Sequence, residues 1–328
     1  MSELRQDPCT GDEVLIASGR KRRPQDWQRE DSEPLPAHDP DCPFCPGNEG
    51  RLPGIIDEVA RDGAPGWQVR VVPNKFPAVT SDAAGKAGDG ACSVSGEHRV
   101  IVETPRHDLD FDALDKGAAA TVMDAYHGQF CTLAARPGTE SVVLFRNYGP
   151  GAGASRQHPH AQIISLDVVP PRQQRAACWA REALERHGEP PTGRYLRSEL
   201  EDGQRIVDVT ERFVLLVPFA ASTPFEQHIL PLKRQASFAE AASSERAELA
   251  GLVQSAVRRL KAAIGPLDYN WVFESALPDA AEPEIHHWRL RIVPKLSVPG
   301  GFEIGADLQI NPSLPEEDAA RLRDAAAG

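Results

Sequence analysis

FRNYGPGAGASRQHPHAQIISL, residues 145–166, reads as a strand, a glycine-rich turn and a second strand carrying two histidines. Side chains alternate across a strand, so the second strand should project His158, His160 and Gln162 from one face and turn Pro159 and Ala161 to the other. A proline removes a ladder donor, which predicts an edge strand or one bulged at Pro159. In the turn, Gly149, Gly151 and Gly153 let consecutive backbone amides converge on an anion, and Ser155 adds a hydroxyl donor. Phosphate is the guest such a loop suits. The plain alternative is a structural hairpin loop followed by half-buried strand histidines.

The chain of 328 residues carries a net charge of −12, with 41% apolar and 6% aromatic residues. No Lys/Arg-rich run interrupts the acidic balance, which argues against a nucleic-acid partner and for an enzyme acting on small molecules. An anionic substrate then requires local positive charge, from arginines or a metal. No apolar stretch approaches the roughly 20 residues of a membrane helix. The opening MSELRQDPCTGDE lacks a signal-peptide apolar core, so no membrane partner and a cytoplasmic location are expected. In that compartment the six cysteines read as thiols or metal ligands rather than disulfides.

Upstream of the histidines, a short strand Val14–Ala17 leads to the basic cluster Arg20, Lys21, Arg22 and Arg23, which is either solvated surface or a phosphate site. Cys42-Pro-Phe-Cys45 is a knuckle of the kind that gives zinc two thiolates. A redox dithiol is the rival, but Pro43, Pro46 and Gly47 forbid the helix such a pair normally opens. Strands are expected over 67–79 and in RVIVE before His107, with a loop over 80–96. Ala118, Val122, Ala125, Tyr126, Phe130 and Leu133 recur at helical spacing. Over 170–199 a helix ends at Gly188 and Pro190.

From Arg205 the pattern begins again. A strand pair, the strand QHILPLK, a helix carrying Leu249, Leu252, Val253, Ala256, Val257 and Leu260, and the strands YNWVFESA and HHWRLRIVPKL follow in the same order. Aligning the last strands sets His287 opposite His158, Arg289 opposite His160 and Arg291 opposite Gln162. The second copy has lost the histidine at the place of His160.

HPHAQ after a Gly/Ser loop, the TG…R-x-x-RP segment and the cysteine knuckle together resemble the galactose-1-phosphate uridylyltransferases, the nucleotidyltransferase branch of the histidine triad superfamily. The resemblance runs from about residue 5 to 323. It implies an α+β fold of two fused histidine-triad-like units, an antiparallel sheet with covering helices. Residues 1–170 would form the catalytic unit with its zinc site, and 171–328 a degenerate unit with the hexose-binding end. By the same resemblance Cys42, Cys45, His107 and His158 hold one structural zinc, since the places of a second metal read Arg291 and Val293. His160 is the nucleophile, with Gln162 and Ser155 beside it. Arg20, Arg23, Asn74, Phe145, Asn147 and the loop glycines face the nucleotide, and Glu303 and Gln309 the hexose. Lys75 stands where the best-known members have aspartate, and Phe302 where they have tyrosine. The family is typically dimeric, so a homodimer is expected.

The expected reaction is uridylyl transfer from UDP-glucose to a hexose 1-phosphate through a nucleotidyl-histidine. Lys75 and the altered hexose end leave open an ADP-sugar phosphorylase, in which inorganic phosphate is the acceptor. From another class, a non-catalytic zinc-stabilised nucleotide-binding protein remains, although a degenerate binder would be expected to lose His160. A histidine-triad hydrolase fits less well, because those are generally short single-copy chains.

Overall fold

The first two strands, β1 (Ser2–Gln6) and β2 (Glu13–Ala17), turn back on each other, and β2 is joined in parallel by β13 (Gln309–Asn311) to make a three-stranded sheet. The computed structural model describes residues 2–20, 34–61, 63, 65–81 and 91–325. Of the sequence expectations, Arg23 and part of the 80–96 loop lie outside the described residues, as does the side chain of Arg20.

The main sheet contains β3 (Asp57–Ala60), β4 (Trp67–Pro73), β5 (Gly96–Val102), β6 (Ser141–Tyr148) and β7 (His160–Leu166), then β8 (Ile206–Val209), β9 (Phe213–Leu216), β10 (Gln227–Pro231), β11 (Tyr269–Glu274) and β12 (Arg289–Pro294). Its order is β3-β4-β5-β7-β6-β11-β12-β10-β9-β8. From either outer end inward, the halves run first, second, third, fifth and fourth strand, and they join at β6 and β11. The repeat seen in the sequence is therefore a repeat of topology.

Helix α1 (Lys116–Ala134) follows the third strand of the first half and α4 (Ser243–Ile264) the third strand of the second. Asp115 starts α1 by accepting the Ala118 amide at 2.8 Å, and Pro137-Gly138 prevents its continuation. Both helices lay apolar faces on the same side of the sheet. One core holds Ile101, Leu144 and Ile163 of the first half with Leu215, Trp271 and Leu290 of the second. Strand alternation then puts His160, Gln162 and Phe145 on the opposite side, together with Arg289, Arg291 and Glu274.

One expectation is corrected and one extended. The strand after Pro159 is interior, bonded by β5 on one side and β6 on the other. Pro159 avoids the lost donor by standing just before β7, where its carbonyl accepts from the Glu103 amide at 3.2 Å. The helix expected to end at Gly188 does so as α2 (Pro171–His187), and a second helix not foreseen, α3 (Pro191–Asp202), follows it. Gly188 ends the first in a left-handed turn and Pro191 restarts the second at its first position. The copies on either side of position 170 share one sheet and one core, and β2 of the first is joined by β13 of the second. Helices α5 (Gly301–Ala306) and α6 (Pro315–Asp324) flank β13.

Candidate active site

The knuckle Cys42-Pro-Phe-Cys45 turns its thiols inward, where they meet His107 from beyond β5 and His158 from the approach to β7. All four residues are buried and their ligand atoms lie within 4.8 Å of one another. Cys42 Sγ is 3.7 Å from His158 Nδ1, and Cys45 Sγ is 3.6 Å from His107 Nδ1 and 3.5 Å from His158 Nδ1. A tetrahedral zinc with ordinary Zn–S and Zn–N bonds demands S···N separations of about 3.6 Å. His158 Nε2 is bound to the Thr104 carbonyl at 2.8 Å, which leaves Nδ1 as the free electron pair. The donor set, its spacing and this outer hydrogen bond fit a divalent metal. Burial pushes the Cys42 thiol up to about 11 and His158 down to about 4, so without a metal these two are neutral at pH 7.

Two residues on, His160 opens β7. Its Nδ1 lies 2.8 Å from the His158 carbonyl, an acceptor only, so Nδ1 carries the proton and Nε2 the lone pair. Burial pushes its pKa down to about 4, and the nearby cations Arg146 and Arg156 act in the same direction. The imidazole is thus neutral at pH 7. Phe44 packs on both histidines, with ring centroids 5.9 Å from His158 and 5.4 Å from His160. Behind the strand, in register with Ala161, Arg146 is buried with Nε 2.8 Å from Glu103 and Nη2 2.7 Å from Asp110. Tyr126 donates to Glu103, the residue before Thr104.

Gln162 stands beside Phe145 in the ladder. Its Oε1 lies 2.9 Å from His98 Nε2 and 3.4 Å from Asn74 Nδ2. Asn74, Gln162 and His98 thus form one polar row across β4, β5 and β7, with Lys75 exposed at its end. Sequence reasoning did not find His98, Arg156 or Phe44. Only strand pairing between segments about 60 residues apart reveals His98, and no local pattern announces it.

The glycine loop departs from the expected phosphate cradle. Gly151 N donates to Asp268 at 2.6 Å, Ala152 and Ala154 amides donate to the Gly149 carbonyl, and Gly153 N to Pro150. Gly149 is in the left-handed region at φ 83°, and a Cβ there would come within 1.8 Å of Asp268. The glycines serve a tight turn around an aspartate of the second half. Asn270 completes the clamp, donating to Asn147 and to the Ala152 carbonyl, each at 2.8 Å. The Asn147 amide expected to face the nucleotide is thereby engaged within the protein. Ser155 and Arg156 remain exposed immediately before His158.

The hexose candidates are elsewhere. Glu303 accepts the Gly300 amide at 2.9 Å. Gln309, on β13, lines a polar cavity of about 300 Å³ with Asp7, Arg172, Glu226 and Arg291, which includes neither His160 nor Gln162. In the second half Arg291 pairs with Glu226 at 2.7 Å and Glu274 at 2.8 Å, and Arg289 with Glu274 at 2.6 Å.

Residues 1–170 match the family described as galactose-1-phosphate uridyl transferase, N-terminal domain. An ADP-glucose phosphorylase of Arabidopsis thaliana is 30% identical, covering 98% of this chain and 92% of its own. A galactose-1-phosphate uridylyltransferase of Haemophilus influenzae is 29% identical over 87% of this chain and 81% of its own. Among solved structures, the Arabidopsis thaliana ADP-glucose phosphorylase with bound ADP-glucose superposes with a TM-score of 0.85 at 28% identity, over 99% of this chain and 98% of that one. A uridylyltransferase superposes at 0.77 and 30% identity, over 100% and 99%.

Proposed function

The chain belongs to the galactose-1-phosphate uridylyltransferase family of nucleotidyltransferases, and from that premise we propose that it moves a uridylyl group from UDP-glucose to a hexose 1-phosphate by double displacement on His160. The observation that carries this is the hydrogen bond from His160 Nδ1 to the His158 carbonyl, which fixes the tautomer and aims a neutral Nε2 outward. Nε2 attacks the α-phosphorus, the bond to the hexose phosphate oxygen breaks, and hexose 1-phosphate leaves as a stable anion. The second sugar phosphate then attacks the nucleotidyl-histidine, and the imidazole leaves with its Nδ1 proton still held by the carbonyl. Charge on the transferring phosphoryl group is met by Gln162, Ser155 and Arg20, with Arg156 close enough to bear on His160. Phe145 offers an aromatic face and Asn74 an amide to the nucleoside.

The buried Cys42, Cys45, His107, His158 group holds one structural zinc, which fixes the approach to His160. The unit 1–170 carries the chemistry, while 171–328 supplies the clamp on the glycine loop and the hexose contacts Glu303 and Gln309. Those two residues lie apart from the His160 site of their own chain, which supports a homodimer that exchanges them. Exposed Val298 and Ile304, 90% and 76% accessible, support a covered surface there. No described helix is long and apolar enough to cross a membrane. The unpaired state of all six cysteines supports a cytoplasmic location.

A second reading, adenylyl transfer from ADP-glucose to inorganic phosphate, is favoured by the 30% identical phosphorylase and by Lys75. Intact mass after incubation with UDP-glucose or ADP-glucose, without acceptor, separates them. A uridylyl adduct cleared by galactose 1-phosphate supports the first, and an adenylyl adduct cleared by phosphate supports the second. No adduct with either donor would leave a nucleotide-binding protein.

A further inference from the structure

Gln162 can serve the transferring phosphoryl group only if its NH₂ end, not its oxygen, faces the substrate. A glutamine amide is nearly symmetric in shape, so something in the protein must decide which end points where. The chain of hydrogen bonds behind it begins at a group with no ambiguity, the backbone N–H of Ala78. That N–H donates to His98 Nδ1 at 3.1 Å, so Nδ1 is the unprotonated nitrogen. A neutral imidazole then carries its proton on Nε2, which lies 2.9 Å from Gln162 Oε1. The oxygen is thereby held toward His98, and the two amide protons turn away from it. Asn74 Nδ2 is 3.0 Å from the same Nε2, a contact between two donors, so the Asn74 acceptor is also Gln162 Oε1, at 3.4 Å.

His98 holds the nucleotide-side loop as well. The Asn74 amide donates to the His98 carbonyl at 2.9 Å, and the Phe76 amide to Asn74 Oδ1 at 2.9 Å. One imidazole therefore ties the Asn74–Ala78 loop to the side chain next but one to His160. Resting on the reading of His160 as nucleophile, we propose that His98 is a positioning residue that fixes Gln162 as a hydrogen-bond donor to the transferring phosphoryl group. It touches neither the phosphorus nor the nucleophile.

The test compares wild type with His98→Leu, His98→Gln, His98→Asn, Gln162→Ala and the double variant His98→Leu/Gln162→Ala. Single-turnover formation of the nucleotidyl adduct from UDP-glucose and from ADP-glucose, donor KM, zinc content and Tm are measured. His98→Leu is expected to slow adduct formation at saturating donor by about ten- to a hundredfold, less than the roughly 10²–10³ for removing a transition-state donor outright, with zinc and Tm little changed, while the lost tie to the Asn74–Ala78 loop is read separately in donor KM. A glutamine at position 98 keeps a donor near the place of Nε2, so His98→Gln restores most of the rate. Asparagine keeps only the Ala78 end, and His98→Asn stays slow. Once Gln162 is gone His98 has no amide to orient and keeps only its hold on the Ala78 end of the loop, so at saturating donor the double variant forms the adduct no more slowly than Gln162→Ala.

Independent, multiplicative losses in the double variant would overturn the proposal, as would equal losses for His98→Gln and His98→Leu or no loss at all. Should His98→Leu fail to fold, the Gln and Asn variants carry the same contrast, and the reverse order of rates overturns it. Wild type forming no adduct from either donor refutes the nucleophile reading itself, an outcome visible before any variant is made.

Discussion

The two halves of the sheet share one strand order, yet they solve the same place in opposite ways. In the first half the fifth strand opens with His160 and Gln162, a neutral nucleophile and an amide facing outward. At the matching positions of the second half stand Arg289 and Arg291, locked to Glu274 and Glu226 in partly buried ion pairs. The preceding histidines diverge as well. His158 and His287 each give Nε2 to a main-chain carbonyl, Thr104 at 2.8 Å and Pro231 at 2.9 Å. His158 Nδ1 then meets two thiols, whereas His287 Nδ1 has no hydrogen-bond partner among the described residues. A fold can keep its backbone while exchanging a reactive, metal-braced strand for an ion-paired one. What distinguishes them is which groups are left with a free electron pair.

The largest expected effect tests that distinction. His160→Ala should lower turnover by about 10⁴-fold or more and abolish the mass adduct, with zinc retained. Arg289→Ala acts on the ion-paired strand and should leave adduct formation intact. A comparable loss from both would erase the division of labour.

Next comes the contrast between the preceding histidines. His158→Gln should reduce bound zinc from about one ion per chain to a small fraction, with a fall in Tm, because a closed four-ligand site loses a donor. In wild type, metal binding must displace the Cys42 proton held up to about 11, so zinc affinity should rise with pH across the neutral range and weaken on acidification. Competition with a chromophoric chelator at several pH values measures both.

A smaller effect is expected behind the catalytic strand. Arg146→Met leaves Glu103 buried without its cation and should cost about 3–5 kcal/mol in chemical denaturation. Replacing the pair together by apolar residues should recover much of that. Smallest of all, His287→Gln, which keeps a donor toward Pro231 and loses no other hydrogen bond, should shift stability by about 1 kcal/mol or less. A loss as large as that of His158→Gln would mean that His287 holds something too.

Much of this was legible in the sequence because it is local. The HPHAQ strand, the cysteine knuckle, the helix opened by Asp115 and the recurrence of the pattern after Arg205 each declare themselves within a few residues. What failed was partner identity. Pro159 suggested an edge, but a proline just ahead of a strand costs the ladder nothing, so the strand could be interior. The glycine loop suggested a phosphate, but its Gly151 amide is claimed by Asp268, more than a hundred residues away, and its next three amides by carbonyls inside the turn. His98 was invisible because its role comes from lying across two strands from Asn74 and Gln162. The parallel pairing of β13 with β2 joins the two ends of the chain, a contact no window of sequence contains.

The seam between β6 and β11 has a consequence for any attempt to reduce the protein to its reactive part. Five residue pairs, from Leu144 with Phe273 to Tyr148 with Tyr269, close that side of the sheet. A fragment ending near residue 170 would present the β6 backbone as an unpaired rim lined by Val143 and Phe145, a template for adding strands from other molecules. The half without a nucleophile is in this sense a permanent resident of that rim, and removing it would trade an enzyme for an aggregate.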